Sequence, residues 1–209
     1  MKVTDVTPQK NNNHRVSVFV DNEYAFSLDG ADSLAMGIKP GRELTKEDIE
    51  KCKWECNYTK ARDKALDVLS RKPISQKDLA KKLLEKGYDA EVSDKVIAEL
   101  SDLGYVNDFD YAALFLEHCR TKMWGTKKIK YEMKQKGIPD SIISDILSDY
   151  EEDSLEEEIT AMIISKYSGD DFSDMKTKAK VTRYLASRGF DFSMIDRCIR
   201  KAMEELSYE

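Results

Sequence analysis

The sequence predicts a mainly α protein: three tandem three-helix repeats in an elongated array, with a small N-terminal head that contains a β-hairpin. Period-two alternation of apolar residues is confined to about the first 28 residues. The rest of the chain carries one apolar pattern three times, each copy centred on a glycine: Gly87, Gly137 and Gly189. Charged residues make up 35% of the chain, above the roughly 25% of average globular domains, which indicates a high ratio of surface to core.

The head is predicted from two stretches, RVSVFV and EYAFSL, in which every second residue is apolar. These alternating residues should share one face of a hairpin: Val16, Val18 and Val20, then Tyr24, Phe26 and Leu28. Asp21-Asn22 suits a two-residue turn because both side chains tolerate positive φ. KVTDVTPQ is a candidate third strand. Because two strands alone are marginal in water, the hairpin should pack on a helix predicted near residues 31–36.

The helical region is predicted to begin at Thr45, after a turn at Pro40-Gly41. The Thr45 hydroxyl can cap the first turn of a helix, and Asp48 lies three residues on, where an acid is favourable. No later stretch shows sustained alternation, so we expect only helices from here onward.

The repeat emerges when the three glycines, separated by 50 and 52 residues, are aligned. Apolar residues then coincide on both sides of the glycine: Leu79 with Ile129 and Val181, Leu83 with Met133 and Leu185, Tyr88 with Ile138 and Phe190, Val92 with Ile142 and Met194, Val96 with Ile146 and Cys198. Such recurrence indicates modules that pack on their neighbours.

Each repeat is predicted to hold three helices, the first near 59–70, 108–121 or 155–167. The second helix should end at the glycine, in the left-handed conformation, and the third should start just after it. Residues suited to helix starts are Asp89 and Asp191 as caps, Pro139 in a first turn, and Ser75 with Asp78 before the second helix of the first repeat. The predicted domains are 1–57 for the head and 58–107, 108–153 and 154–209 for the repeats.

Charge alternates from helix to helix, although a net charge of -6 hides the alternation. Residues 120–136, around the second helix of the second repeat, hold seven basic residues and one acidic residue. Residues 140–158, which follow, hold nine acidic residues and no basic one, and EEDSLEEE among them is predicted to be a charged connector. The sequence pI of about 5.2 argues against a protein whose whole surface binds nucleic acid, but it leaves room for local basic faces.

The clearest basic face is predicted at Lys127, Lys130 and Lys134, which fall on one side of a helix, while Ile129 and Met133 fall on another. The other candidate partner-binding residues are Lys77, Lys81, Lys122, Trp124 and Arg183. Two interpretations stay open for the lysines: a solvated face that aids solubility, or a surface that meets an acidic partner or nucleic-acid phosphates. Trp124 is either an interface anchor or a plug between two helices.

Motifs of the common enzyme classes do not occur in the sequence. It contains no G-x-x-x-x-G-K-[ST], no G-x-G-x-x-G and no H-E-x-x-H, and only two histidines. His118-Cys119 are neighbours on a predicted helix and point apart, so a nucleophile–base pair is disfavoured. Cys52 and Cys56 lack a second ligand pair for zinc and are expected to be buried apolar residues. We therefore predict no catalytic activity, no cofactor and no metal.

The cellular setting is inferred from what the sequence lacks. The N-terminal residues are polar, without the apolar core of a signal peptide, and no stretch approaches 18 consecutive apolar residues. The four cysteines show no C-x-x-C spacing, which is typical of reduced thiols. We expect a cytoplasmic monomer without a membrane association.

Three stretches resemble the RecX family, regulators of the bacterial recombinase RecA: ISQKDLAKKLLEKGY at 74–88, GYVNDFDYA at 104–112 and GTKKIKYEMKQKGI at 125–138. In GYVNDFDYA, Gly104 is expected to end a helix, Asn107 or Asp108 to start the next, and Tyr105 and Val106 to pack in the joint. The resemblance covers about 59–206, and the first 50 residues resemble the extra N-terminal segment of longer family members. The third repeat departs from the pattern by the insertion SGDDFSDMK.

This resemblance implies a modulator without enzymatic activity. It would lie along the groove of the RecA filament on single-stranded DNA, touch more than one protomer, and restrain ATP hydrolysis, strand exchange and the co-protease role. The competing interpretation is a helix-turn-helix-like module that contacts DNA directly. The acidic third helices disfavour that alternative, because a helix that reads DNA should not carry five or nine acids.

Overall fold

The computed structural model describes residues 1–10, 12–148, 150, 152–167, 169, 172 and 174–207. Helices make up 65% of it and a small sheet lies at the N-terminus, which confirms the mainly α class. The chain forms two compact units, and each is considered by itself. The first comprises Met1–Ile74 and Asp78–Val106; the second comprises Ser75–Lys77 and Asn107–Glu209.

The sheet in the first unit has three antiparallel strands in the order β1-β2-β3: Val3–Gln9, Asn12–Val20 and Glu23–Asp29. Asp21 and Asn22 connect the last two strands with φ of 51° and 70°, so both take the left-handed conformation that a two-residue hairpin turn requires. The predicted hairpin, its turn and the third strand are confirmed.

One position of the hairpin differs from the prediction. Tyr24 is 57% exposed, whereas Phe26 and Leu28 are buried. The pairing shifts between Val18 and Phe19, so that Phe19 opposes Tyr24 while Val18 opposes Phe26. This bulge adds one residue to β3 and turns Tyr24 away from the core, which strict alternation could not anticipate.

The first unit contains helices α1 (Gly30–Ala35), α2 (Lys46–Leu69) and α4 (Ala90–Asp102), and most of α3 (Gln76–Glu85). Thr45 and Asp48 form a complete capping box at the start of α2, as predicted. This helix runs without a break through residues 57 and 58, where the sequence suggested the head would meet the first repeat.

Two faces of α2 serve two cores of the first unit. Near its start, the buried Ile49, Cys52 and Cys56 pack with the sheet residues Phe26 and Leu28. Near its end, Ala61, Ala65 and Val68 of α2 form a second core with residues of α3 and α4. Those residues are Leu79, Leu83, Val92, Val96 and Leu100. Cys52 and Cys56 are thus buried, as predicted, and the Arg15 guanidinium donates a hydrogen bond to Cys56 Sγ at 3.3 Å.

The described residues of the second unit form six α-helices: α5 (Asp108–Thr121), α6 (Thr126–Gln135), α7 (Asp140–Ser148), α8 (Glu156–Lys166), α9 (Met175–Ser187) and α10 (Phe192–Ser207). They share one apolar core, whose fully buried members include Ile129, Met133, Ile143 and Leu185. A short 3-10 turn, Glu152–Leu155, leads into α8.

The repeated glycines behave as predicted. Gly87, Gly137 and Gly189 have φ of 86°, 80° and 92°, and each follows the end of a second helix. The Asp191 carboxylate accepts a hydrogen bond from the Met194 amide at 2.8 Å, as a cap should. Asp89 occupies the equivalent position without a capping hydrogen bond.

The joint before α5 and the start of α7 follow the predictions only in part. The Asn107 side chain accepts from the Phe109 amide at 2.8 Å and caps α5, as expected. Tyr105 was expected in the joint with Val106, but it is 61% exposed whereas Val106 is buried. Pro139 precedes the first residue of α7 instead of lying in its first turn. In the segments SGDDFSDMK and EEDSLEEE, residues 151, 168, 170, 171 and 173 lie outside the described part of the chain.

Candidate partner-binding surface

The lysine face of α6 has the geometry that its spacing predicts. Lys127, Lys130 and Lys134 are exposed, whereas Ile129 and Met133 on the opposite side are fully buried. The helix therefore uses its apolar stripe for the core and offers its lysines to the solvent. We call Lys127, Lys130 and Lys134 the α6 lysine face.

In the described part of the chain, Lys134 is the one member of the α6 lysine face with an ion-pair partner within 4 Å. Lys134 Nζ lies 2.8 Å from Asp140 Oδ1, across the glycine turn, and both side chains are exposed. The hydrogen bond from Lys134 holds the pKa of Asp140 below its ordinary value, and the charges of Lys134 and Lys130 act in the same direction. Such an exposed pair contributes little to stability, so Lys134 can exchange this partner for another at small cost.

Lys77 and Lys81 do not form a second face of the same kind. Lys77 lies in the second unit, where its ammonium donates to the Gln135 carbonyl at 3.1 Å and its stem covers Gly137. Lys81 lies in the first unit, 71% exposed, with Glu85 Oε1 at 3.9 Å. Both were predicted to bind a partner, and Lys77 has in addition a structural acceptor that the sequence did not reveal.

Trp124 lies at the joint between α5 and α6, as the prediction of a plug between two helices required. Its ring is half-buried against the core of the second unit, and its carbonyl accepts a hydrogen bond from the Tyr150 hydroxyl at 2.8 Å. Two ammonium groups lie over the ring, Lys122 at 5.1 Å and Lys128 at 4.3 Å from the centroid. Trp124 therefore closes the α5–α6 joint, and its ring is covered by two cations where it reaches the surface.

Further cation–aromatic contacts in the second unit were not anticipated. Arg188 lies 4.8 Å and Lys166 lies 3.6 Å from the Tyr184 ring centroid, and Lys180 lies 5.0 Å from that of Tyr167. The available signal was an aromatic residue four positions before a cation, as in Tyr184 with Arg188 and Trp124 with Lys128. We call Trp124, Tyr184 and Tyr167 with these cations the cation–aromatic group.

Arg183 is exposed on α9, and its Nε donates to the Ala179 carbonyl of the same helix at 3.2 Å. Its guanidinium is thus oriented along its own helix and remains accessible. It resembles the α6 lysine face in exposure, although its local partner differs.

The acidic connector has a defined internal partner. Glu156, at the start of α8, is only 17% exposed and pairs with Lys201 Nζ at 2.8 Å and Arg197 Nε at 2.9 Å. Hydrogen bonds from Lys201 and then Arg197 lower the pKa of the Glu156 carboxyl. Part of the negative charge of this segment is therefore neutralised by ion pairs within the second unit.

The helices of the described residues were compared with the length and apolarity that a membrane-spanning helix needs. None of them is both long enough and apolar enough to cross a bilayer.

Comparison with protein families matches four consecutive segments of the chain. Residues 1–45 match the regulatory protein RecX N-terminal domain. Residues 61–100, 107–147 and 157–199 match the first, second and third three-helix domains of RecX. The three-helix matches coincide with the three glycine-centred repeats.

Curated relatives match over most of their length. Regulatory protein RecX of Caldanaerobacter subterraneus is 30% identical over 88% of this chain and 92% of its own length. Regulatory protein RecX of Clostridium acetobutylicum is 31% identical over 97% of both chains.

Two solved structures share the fold. A crystal structure of regulatory protein RecX covers 93% of this chain and 97% of its own, with a TM-score of 0.71 and 24% identity. RecX from Lactobacillus salivarius covers 70% of this chain and 96% of its own, with a TM-score of 0.59 and 27% identity. With the four domain matches and the curated relatives, these similarities establish that the chain belongs to the RecX family of regulatory proteins.

Proposed function

We propose that this protein binds the RecA filament on single-stranded DNA and restrains its recombinase, ATPase and co-protease activities in DNA repair and recombination. The observation that carries the proposal is the α6 lysine face, three exposed cations on one side of a helix whose other side is buried. Family membership supports RecA as the partner. The protein acts by binding, as a cytoplasmic monomer without a cofactor.

Charge and modularity support binding to an extended partner. Three similar modules can make several weak contacts along a repeating surface, and such contacts combine as avidity. Exposed lysines beside acidic helices suit a partner that presents both signs of charge. Lys81, Lys122, Trp124 and Arg183 are further candidates for this surface, while Lys77 contributes mainly through the structural contact of its ammonium with Gln135.

A second candidate function is direct contact with single-stranded DNA. The cation–aromatic group favours it, because bases stack on aromatic rings while neighbouring cations meet phosphates. The rings are already covered by the protein's own cations, however, so a base would have to displace them. We therefore assign DNA a supporting role, as a weak additional contact within the filament complex.

The α6 lysine face is tested by reversing Lys127, Lys130 and Lys134 to Glu. We expect inhibition of the RecA ATPase on single-stranded DNA to weaken, with an unchanged circular dichroism spectrum. A matched control reverses Lys39, Lys46 and Lys51, three exposed lysines of the first unit, and changes net charge by the same amount. Equal inhibition by the α6 variant and the wild type would contradict the proposal.

Binding to bare DNA and to assembled filament over a salt series separates the two candidate functions. The RecA proposal expects a clear preference for filament. Tight binding to bare single-stranded DNA, with a steep salt dependence and no gain from RecA, would favour the DNA function instead.

A further inference from the structure

In the second unit, α6 and α9 are the helices that end before the repeat glycines Gly137 and Gly189. The C-terminal end of each lies against the beginning of another helix. At the end of α6, the Ser75 hydroxyl donates to the Lys136 carbonyl at 2.8 Å, and Lys77 Nζ donates to the Gln135 carbonyl at 3.1 Å. These carbonyls belong to the last residues of a helix, which have no partner within the helix itself. A residue at a helix start and a nearby lysine therefore satisfy them together.

The end of α9 repeats this arrangement. The Gly125 amide donates to the Arg188 carbonyl at 2.8 Å, and Lys128 Nζ donates to the Ser187 carbonyl at 3.4 Å. In both cases the acceptors are the residues one and two positions before the left-handed glycine. We call these two carbonyls with their glycine the socket of a repeat.

The socket of the first repeat has the same backbone but no such donors. Gly87 has a φ of 86°, close to those of Gly137 and Gly189, and Tyr88 donates to the Leu83 carbonyl as Ile138 does to Met133. Among the described residues, none donates to the Glu85 or Lys86 carbonyl, and a Cβ at Gly87 would meet nothing within 4 Å. The equivalent Cβ atoms at Gly137 and Gly189 would collide with Lys77 and Lys128.

A cavity of about 500 Å³ lies next to this socket, within the first unit. Its apolar floor is formed by Val68 and Leu83, both largely buried. Lys72, Lys82 and Lys86 line its wall and have no ion-pair partner in the described part of the chain. The two acids of the lining are already paired, Asp67 with Lys64 and Arg71, and Glu85 with Lys81. The cavity therefore favours a ligand that carries negative charge beside a hydrogen-bond donor.

We propose that this socket receives the first turn of an α-helix of a partner protein. The helix carries Ser or Gly at its cap, which donates to the Lys86 carbonyl as Ser75 and Gly125 donate to the Lys136 and Arg188 carbonyls. Acidic residues in its first turn, where acids stabilise a helix, face Lys72, Lys82 and Lys86. The inference concerns a surface other than the α6 lysine face and does not depend on RecA being the partner.

The corresponding helix start of the third repeat does not suit this socket, which argues against a second copy as the occupant. α9 begins one turn earlier relative to its glycine than α3 and α6 do. Its first turn has no acid, and its Lys176 amide already donates to the Asp174 side chain at 3.0 Å. Lys176 and Lys178 would also face a basic cavity.

The probe is a synthetic helical peptide with a Ser cap and two glutamates in its first turn, titrated into the full 15N-labelled chain. We expect NMR shift changes concentrated at residues 64–72 and 82–88. Lys82→Glu with Lys86→Glu should weaken the binding about tenfold, since each reversal removes roughly one exposed charge contact and adds a repulsion. Gly87→Asn should also weaken it, because Asn tolerates the left-handed conformation and projects a side chain into the socket.

The controls decide between the possible outcomes. Lys46→Glu with Lys51→Glu changes net charge equally on the same unit and should leave binding within about twofold of the wild type. A peptide with lysines in place of the glutamates should bind at least about tenfold more weakly, because its charges repel Lys72, Lys82 and Lys86. Absence of shifts up to about 1 mM peptide, or equal binding by the Lys82→Glu, Lys86→Glu variant, would overturn the proposal. Shifts at the same residues on raising the protein concentration alone would identify a second copy as the occupant.

Discussion

Lys128 and Gly189 lie in close contact between the second and third repeats of the second unit. A Cβ placed on Gly189 would lie 2.5 Å from the Lys128 Cβ, while the Lys128 ammonium reaches the Ser187 carbonyl at 3.4 Å. The glycine thus ends its helix and also admits a neighbouring backbone. Only a residue without a side chain can do both.

The three repeat glycines provide an internally controlled mutational series. Each takes the left-handed conformation, so alanine at Gly87 should cost about 1 kcal/mol of unfolding free energy from the backbone alone. Alanine at Gly189 should cost about 3 kcal/mol, because overpacking against Lys128 is added. Gly137→Ala should fall between, since Lys77 can partly withdraw. Urea unfolding measures the free energy that each variant loses. Equal losses for the Gly87 and Gly189 variants would show that the contact with Lys128 adds no overpacking cost.

Lys128 should stabilise the second unit more than the neighbouring Lys130. Replacing Lys128 with Ala removes a contact with the Trp124 ring and a hydrogen bond to the Ser187 carbonyl, a loss of about 1–2 kcal/mol. Lys130→Ala removes an exposed side chain from the same helix and should change stability by less than about 0.5 kcal/mol. Emission of Trp124 during urea unfolding, in a Trp54→Phe background, reports on the unit that contains both lysines. Indistinguishable midpoints for the two variants would rule out a role for Lys128 in the joint.

Glu156 should make the second unit sensitive to acid. The pKa of its carboxyl is lowered in the folded state by Lys201 and Arg197. Its contribution to the free energy of unfolding is therefore complete above the ordinary carboxyl pKa, and it is lost as the pH falls through the lowered pKa. Glu156→Gln should therefore reduce the Tm at pH 7, and the difference from the wild type should shrink toward pH 3. Glu158→Gln, at an exposed position of the same helix, serves as the control. A constant difference at all pH values would assign the effect to packing instead of charge.

Cys119 should be inert in the native state. It is fully buried, and burial raises the pKa of its thiol to about 11, which leaves little of the reactive thiolate at pH 8. We expect Ellman's reagent to modify it only after opening of the fold, at a rate that increases with urea. Immediate modification at pH 8 of a native variant in which Cys52, Cys56 and Cys198 are replaced by Ala would contradict this expectation.

Local chemistry allowed the sequence to predict the boundaries of many elements. Asp21-Asn22 can form only a few kinds of turn, Thr45 with Asp48 makes a capping box within one turn of helix, and Asn107 caps its own helix. The apolar period likewise placed Ile129 and Met133 in the core. In each case the decisive contacts lie within a few residues along the chain.

Contacts between distant residues account for what the sequence did not reveal. The bulge at Val18 and Phe19 depends on pairing across two strands, and it alone turned Tyr24 outward. Lys77 was predicted as a partner-binding residue; it is exposed, but its ammonium also has an acceptor 58 positions away. The spacing of the α6 lysine face correctly predicted exposure, but a helical period does not identify the partner that such a face binds.

The uninterrupted α2 ties the sheet to the first repeat more firmly than a linker would. At 1.5 Å per residue, its 24 residues form a rod of about 36 Å, with the sheet packed at one end and the repeat at the other. Removal of the first 45 residues would leave Ile49, Cys52 and Cys56 facing water along the rod. A chain without these residues would therefore expose an apolar stripe that favours aggregation. By covering this stripe, the head keeps the repeat that follows it soluble.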